Sequence, residues 1–137
     1  MKIIALDIGD VWTGSAISDQ LGIIATPLKT VLTKDLAIFM RQLIDEKKIG
    51  EVVVGYPKTM RGTESEQTRK ILSQKEFLEK AFPELKWLLW DERLTSQHAQ
   101  KIQSRYASAD KLMSHSVAAA LILSGYLDSQ RFHNHID

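Results

Sequence analysis

A β-branched run, Val52-Val53-Val54, lies between two stretches of helical periodicity and most restricts the folds open to this chain. Residues 36–44 carry apolar side chains at the i, i+3, i+4, i+7, i+8 spacing of one helix face, and residues 66–82 carry a similar stripe. A buried strand framed by two helices is typical of a central parallel strand reached by a right-handed crossover. The pattern therefore predicts an α/β domain.

Four more strands are expected at apolar or alternating runs, in residues 3–6, 15–18, 23–31 and 86–90. The first three follow one another through short turns, which favours antiparallel pairing, and Pro27 indicates that the third is an edge strand. The sequence predicts one α/β domain over residues 1–137. Its core is a five-stranded mixed sheet, three antiparallel strands plus two parallel ones, flanked by helices.

Hydroxyl side chains stand at the expected helix starts, namely Thr33, Thr63, Thr95 and Ser114. Thr63 with Glu66 matches a capping box. We expect the last helix to run from His115 to about Leu127, and residues 131–135 to be frayed.

Composition limits the chemistry that this chain can perform. It has 137 residues, 44% of them hydrophobic, which suffices for one core, and no cysteine, which excludes disulfides, thiolate zinc sites and cysteine nucleophiles. There is no apolar run of about 18 residues, and Asp7 comes too early for a signal peptide. We therefore expect a soluble, cytoplasmic protein with no membrane contact.

Acidic residues end two of the predicted strands. Asp7 follows the apolar residues 3–6, and Asp91 and Glu92 follow residues 87–90. If these strands are neighbours, their carboxylates meet at one sheet edge and form an oxygen-rich site that suits Mg²⁺ or Mn²⁺.

Successive side chains of a strand point to opposite faces, so only one acid of the second pair should face that site. We favour Glu92. Asp91 would then support the metal ligands or orient Arg93. The alternative is that Asp91 or Glu92 only forms a surface salt bridge with Arg93.

A net charge of +1 provides no global field that would attract a polyanion, so any nucleic-acid affinity must come from a local basic face. The candidates lie in and around one predicted helix, close in sequence to the second acidic pair, and are Arg93, Lys101, Arg105 and Lys111. They could equally be ordinary solvated residues of a helix surface.

The segment 54–63 joins a predicted strand to a helix start, where backbone amides could receive a phosphate. It lacks the spacing of a Walker loop, which disfavours nucleotide hydrolysis of that type. The turn at Asp7-Ile8-Gly9 also looks like the first phosphate loop of actin and sugar-kinase ATPases, but those enzymes close two lobes over the nucleotide, and 137 residues make only one.

A set of motifs, taken together and in order, resembles the YqgF family over essentially the whole chain. They are Leu6-Asp7-Ile8-Gly9, Gly14-Ser15-Ala16-Ile17-Ser18-Asp19, Val53-Val54-Gly55-Tyr56-Pro57, Gly62-Thr63, Asp91-Glu92-Arg93-Leu94-Thr95 and Val117-Ala118-Ala119-Ala120-Leu121-Ile122-Leu123. The resemblance implies a small RNase H-like nuclease. Members are described as Holliday junction resolvases and, in bacteria, as nucleases in the 5′-end maturation of pre-16S ribosomal RNA.

The resemblance also implies two divalent metals, held by acids on the first strand, a later strand and the last helix. It places Asp7, Glu92 and position 115 in those catalytic roles. Two such metals about 4 Å apart activate a water and stabilise the leaving 3′-oxygen. The implied substrate is pre-rRNA or branched DNA, and the protein could be a monomer or a homodimer.

Two departures from the family pattern bear on activity. His115 stands where the family usually has an Asp, and Val11-Trp12-Thr13 replaces a basic pair. An imidazole ligand favours Mn²⁺ over Mg²⁺, which prefers oxygen, and Asp110 could partly substitute for the missing acid. The alternative function is a nucleic-acid-binding factor of the same fold with weakened catalysis.

Overall fold

A computed structural model describes residues 1–57, 65–94 and 96–136, with side chains as far as residue 131. The elements in chain order are β1 (Lys2–Ile8), β2 (Trp12–Ser18), β3 (Ala25–Leu32), α1 (Leu36–Glu46), β4 (Ile49–Tyr56), α2 (Glu66–Ala81), β5 (Lys86–Asp91), α3 (Ala99–Arg105) and α4 (Lys111–Ile136). A single turn of 3₁₀ helix, Thr33–Asp35, leads into α1.

The five strands form one sheet in the order β3-β2-β1-β4-β5. The first three pair antiparallel, whereas β4 pairs parallel with β1, and β5 pairs parallel with β4. The predicted mixed sheet is confirmed, and β3, which contains Pro27, lies at an edge as expected. The acid-bearing ends of β1 and β5 are separated only by β4.

Helices cover both faces of the sheet, and the alternation of β1 shows which residues face which layer. Ile4 and Leu6 pack in a large core with residues of α1 and α2, such as Phe39 and Leu78. Burying one such side chain stabilises the fold by roughly 1.5–3 kcal/mol.

The opposite face carries small residues at its centre and is covered by α4. Ala5, Ala16 and Val53 pack there against Ala119 and Leu123. Because these side chains are short, the helix backbone comes close to the sheet.

The start of α1 differs from the prediction. Thr33 lies in the 3₁₀ turn, and the helix begins at Leu36 without a side-chain cap. The Thr33 hydroxyl instead donates to the carbonyl of Gly9 at 2.7 Å and bonds the hydroxyl of Thr13 at 2.8 Å. It therefore ties the start of α1 to the β1–β2 turn.

Two other predicted caps, Thr63 and Thr95, lie outside the described residues, as do residues 58–64 of the proposed phosphate loop. The helix α2 begins at Glu66, and the hydroxyl of Ser65 accepts from the amide of Thr68 at 3.1 Å. Ser65 therefore occupies the cap position.

The prediction of a cap at Ser114 is wrong. The helix begins one turn earlier, and the Asp110 carboxylate accepts a hydrogen bond from the amide of Met113 at 2.7 Å. The hydroxyl of Ser114 donates back to the carbonyl of Lys111 within the helix. Residues 131–135, where we expected a frayed tail, belong to α4, which continues to Ile136. Among the described residues, no helix combines the length and the apolar character that a membrane span requires.

Candidate active site

Asp7 lies near the end of β1, on the side of the sheet that α4 covers. The alternation of the strand puts it on the same face as Ala5 and opposite Leu6. It is half-buried and pairs with Gly14 across the β1–β2 ladder. The first strand thus delivers a carboxylate to the small-residue face.

Glu92 reaches the same face from β5. Leu88 and Trp90 pack on the α4 side, so the alternation continues to Glu92, whose amide donates to the carbonyl of Tyr56 at 3.3 Å. Glu92 Oε2 lies only 3.2 Å from where a Cβ of Gly55 would stand. The glycine leaves the carboxylate room beside β4.

The two carboxylates share one pocket of about 350 Å³, which we call the acid pocket. Its other walls come from the chain after β5, from α3 and from α4. They are Leu94, Ser96, Ala99, Gln103, Ala118, Leu121 and Ile122.

Asp91 has a different environment. Its carboxylate accepts from the Arg93 amide at 3.0 Å, and it forms a fork with the guanidinium, with Oδ1 3.1 Å from Nε and Oδ2 2.9 Å from Nη2. It does not line the acid pocket. The geometry matches an acid that orients Arg93, as the strand alternation suggested.

His115 lies on α4, and its backbone contacts Gly14, the strand partner of Asp7. A Cβ at Gly14 would fall 1.9 Å from the carbonyl oxygen of His115 and 2.6 Å from the amide nitrogen of Ser116. The helix backbone therefore rests directly on β2, next to the strand that carries Asp7. Of the three positions predicted for catalysis, Asp7 and Glu92 share the acid pocket, whereas His115 does not line it.

Electrostatics couples these three groups. Burial raises the pKa of Asp7, and the charge of His115 opposes part of that rise. Burial also raises the pKa of Glu92, with further contributions from the charges of Asp7 and Asp91. Among the described residues, neither the Asp7 nor the Glu92 carboxylate has a hydrogen-bond or ion-pair partner. Two partly desolvated, mutually repelling carboxylates favour a positively charged ligand.

The donor set fits a divalent cation in part. Asp7 and Glu92 offer carboxylate oxygens, which Mg²⁺ and Mn²⁺ accept, and His115 offers a ring nitrogen. In the parts of the chain that the structure describes, however, no three acidic, histidine or cysteine side chains are close enough together to form a metal cluster. The carboxylate pair suits a cation, and the third ligand is not in place.

The four basic candidates occupy exposed positions around α3. Lys101 and Arg105 lie on α3 itself, and Ala99 and Gln103 of the same helix line the acid pocket. Lys111 begins α4, and Arg93 is paired with Asp91. None of the four lines the acid pocket itself.

A polar network anchors the chain after Glu92 to α4, and the sequence reasoning missed it. Ser96 Oγ lies 2.6 Å from Ser124 Oγ and 3.0 Å from a carboxylate oxygen of Asp128, which also accepts from the amide of Gln97 at 2.9 Å. Arg131 in turn donates to Asp128. No local pattern signals pairs so far apart in sequence. Gly14 and Gly55 were missed too, although a glycine inside a strand does indicate close approach of another group.

Comparisons with known proteins point to one family. Residues 1–129 match the model of the RuvX family, described as Holliday junction resolvase. A relative from Thermoanaerobacter pseudethanolicus, named "Putative pre-16S rRNA nuclease", is 40% identical over 139 residues, covering 96% of this chain and 99% of the relative. One of the same name from Rubrobacter xylanophilus is 38% identical over 129 residues, covering 93% and 92%.

Among solved structures, the chain resembles RuvC of T. thermophilus in complex with a Holliday junction substrate. The TM-score is 0.62 at 12% identity, with 96% of each chain covered. A second T. thermophilus RuvC structure gives 0.55 at 10% identity, covering 96% of this chain and 97% of that one. This likeness concerns the fold, and the predicted RNase H-like architecture is confirmed.

Proposed function

Because this chain belongs to the RuvX family, a family of nucleases, we propose that it is a divalent-cation-dependent endonuclease that hydrolyses phosphodiester bonds in structured nucleic acid. The observation that carries the proposal is the pair of carboxylates, Asp7 and Glu92, in one pocket at the sheet edge. The first substrate we propose is the 5′ end of pre-16S ribosomal RNA, after which the relatives are named. The second is a Holliday junction, after which the family is named.

In this proposal Asp7 and Glu92 hold the cation, with His115 beside them. Bound Mg²⁺ or Mn²⁺ supplies a Lewis acid that lowers the pKa of water and neutralises charge on the phosphate. The chain's own part is to present both carboxylates without their protons. Since burial raises both pKa values, proton loss and cation binding are coupled.

The basic residues position the substrate. Arg93, Lys101, Arg105 and Lys111 are exposed and can contact phosphates rather than base edges. Binding should then tolerate many sequences and weaken as salt rises. This is what an enzyme that recognises the shape of a precursor RNA needs.

One observation favours a second function, nucleic-acid binding with weakened catalysis. His115 offers no negative charge, and the described residues contain no three-ligand metal cluster. A site with two carboxylates binds a cation more weakly than one with three. In that case the fold would bind RNA or DNA and cut slowly or not at all.

A cleavage assay separates the two functions. Wild type, Asp7→Asn and His115→Asp are compared on a pre-16S 5′ segment and a four-way DNA junction, with Mg²⁺ or Mn²⁺. Asp45→Asn, an exposed acid of α1, serves as the matched control. Cleavage that disappears in Asp7→Asn but persists in Asp45→Asn supports the nuclease. Binding without cleavage by wild type, with activity only in His115→Asp, supports the weakened factor.

A further inference from the structure

A second groove, of about 290 Å³, lies on the other side of α3 from the acid pocket, and we call it the α3 groove. Its walls include Ile23 and Ile24 from the β2–β3 turn and Ile102 and Tyr106 from the α3 region. The two cavities adjoin, because Ser96 of the acid pocket is hydrogen-bonded to Ser124 of the groove. A nucleic-acid strand that crosses α3 could therefore occupy both cavities.

The two isoleucines of the groove wall are exposed to solvent, and hydrogen bonds fix their backbone. Ile23 and Ile24 are 48% and 59% exposed. Their amides donate to Oδ1 of Asp19 at 2.7 and 2.8 Å, and the carbonyl of Ile23 accepts from Arg131 at 3.2 Å. Gly22 completes the turn with a φ of 69°. Two apolar side chains fixed outside the core form a preorganised contact surface, which lowers the entropic cost of binding a ligand.

The charged residues of the groove identify the ligand. Lys101, Arg105 and His98 line it, and no described lining residue is acidic. The guanidinium of Arg105 stands 5.8 Å from the centre of the Tyr106 ring. Cations that surround apolar and aromatic side chains suit a nucleotide, because a base can stack while its phosphate is neutralised. An apolar protein segment would use the isoleucines but would leave the cations without partners.

We propose that the α3 groove binds one unpaired nucleotide of the substrate. The base packs against Ile24 and Tyr106, the phosphate contacts Lys101 and Arg105, and a neighbouring phosphodiester lies in the acid pocket. This assignment rests on the proposed nuclease function and makes it more specific. The enzyme would prefer a single-stranded segment next to a structured one.

The test measures binding by the whole chain, carrying Asp7→Asn so that the probe stays intact. A hairpin RNA with a short single-stranded extension is compared with the same hairpin lacking it, by fluorescence anisotropy. The extension should tighten binding about tenfold, a typical effect of stacking one base. Ile24→Ser should remove that gain, so that this variant binds the two hairpins alike.

The matched control is Ile38→Ser, which alters an isoleucine of α1 that is 64% exposed and lies away from the groove. It should keep the gain. Tyr106→Ala should abolish the gain, and Tyr106→Phe should retain it. The tyrosine variants could fail to fold, but Ile24 is exposed, so Ile24→Ser tests the groove without disturbing the core. A 2-aminopurine in the extension should be quenched on binding by the parent but not by Ile24→Ser.

Equal affinity for both hairpins, or equal losses in the two serine variants, would overturn the groove assignment. The proposed function is judged separately by cleavage with Asp7 intact. Cleavage without a preference for the extension keeps the nuclease and discards the groove. A preference without cleavage keeps the groove and discards the nuclease. A DNA extension that binds as well as RNA means that the groove reads the base and phosphate rather than the 2′-hydroxyl.

Discussion

Gly14 and His115 are in direct backbone contact, since a Cβ at position 14 would lie 1.9 Å from the histidine carbonyl oxygen. Gly14 is the strand partner of Asp7. The absence of a side chain at this one position thus sets how closely α4 approaches the first catalytic candidate.

Gly14→Ala should therefore destabilise the fold strongly. The new methyl group meets main-chain atoms that cannot rotate away, so α4 must shift from the sheet, at a cost of about 3 kcal/mol or more. Denaturant unfolding measures this loss. Gly50→Ala is the control, because the atoms nearest its Cβ belong to the side chain of the exposed Met1, which can move. Equal stability of the two variants would contradict the tight helix contact.

Asp7→Asn should raise stability at neutral pH while abolishing cleavage. Burial raises the pKa of Asp7, so its favourable contribution is complete below the usual carboxyl pKa and is lost as pH rises through the raised value. The asparagine avoids that loss. Thermal unfolding should show a higher midpoint for the variant at pH 7, with the difference vanishing near about pH 4. Cleavage should fall about 100-fold or more. A variant less stable than wild type at pH 7 would contradict the inference that burial desolvates the Asp7 carboxylate.

The sequence predicted the sheet and its acidic edge because both depend on local patterns. Strand alternation predicted that only one acid of the pair faces the site, and we favoured Glu92. The structure has Glu92 in the acid pocket with Asp91 paired to Arg93. Pro27 similarly placed β3 at an edge.

The helix starts were harder to predict, because several hydroxyls competed for the same roles. Ser114 and Thr33 looked like caps, yet Asp110 caps α4 and Thr33 bonds across to Gly9. The polar network around Asp128 joins residues about 30 positions apart. Only the packing of α4 on the chain after β5 brings such groups together, and no periodicity in the sequence reports it.

His115→Asp should change the response to metals. Three neighbouring carboxylates repel one another, so the metal-free variant should melt below wild type, whereas added Mg²⁺ should raise its midpoint more than that of wild type. Wild type should respond better to Mn²⁺ than to Mg²⁺, since a ring nitrogen suits manganese better than magnesium. Melting curves with each ion or with chelator measure this. Identical shifts for both proteins would exclude position 115 from the ligands.

Asp128→Ala should loosen the chain that follows Glu92. Burial alone would raise the pKa of Asp128, but hydrogen bonds from Gln97, Ser96 and Arg131 outweigh it and lower the pKa. The variant should lose about 2 kcal/mol, because three donors lose a charged acceptor.

This loss should shrink as pH falls through the lowered pKa, where wild type gives up the same contribution. Unfolding at several pH values tests the trend, with Asp45→Ala as a control that should change little. Faster amide exchange at Gln97 in the Asp128 variant would locate the effect. A loss independent of pH would mean that the carboxylate charge is not involved.

Because α4 covers β1 and β2, the parts of the acid pocket are synthesised at different times. Translation makes Asp7 early and position 115 some 110 residues later, a delay of roughly 5 to 20 s at typical rates of synthesis. Until α4 has been synthesised, the small-residue face of the sheet is uncovered and the acid pocket lacks the wall that α4 provides. In the proposed nuclease, the acid pocket would therefore be completed only when α4 docks, because Ala118, Leu121 and Ile122 of that helix line it.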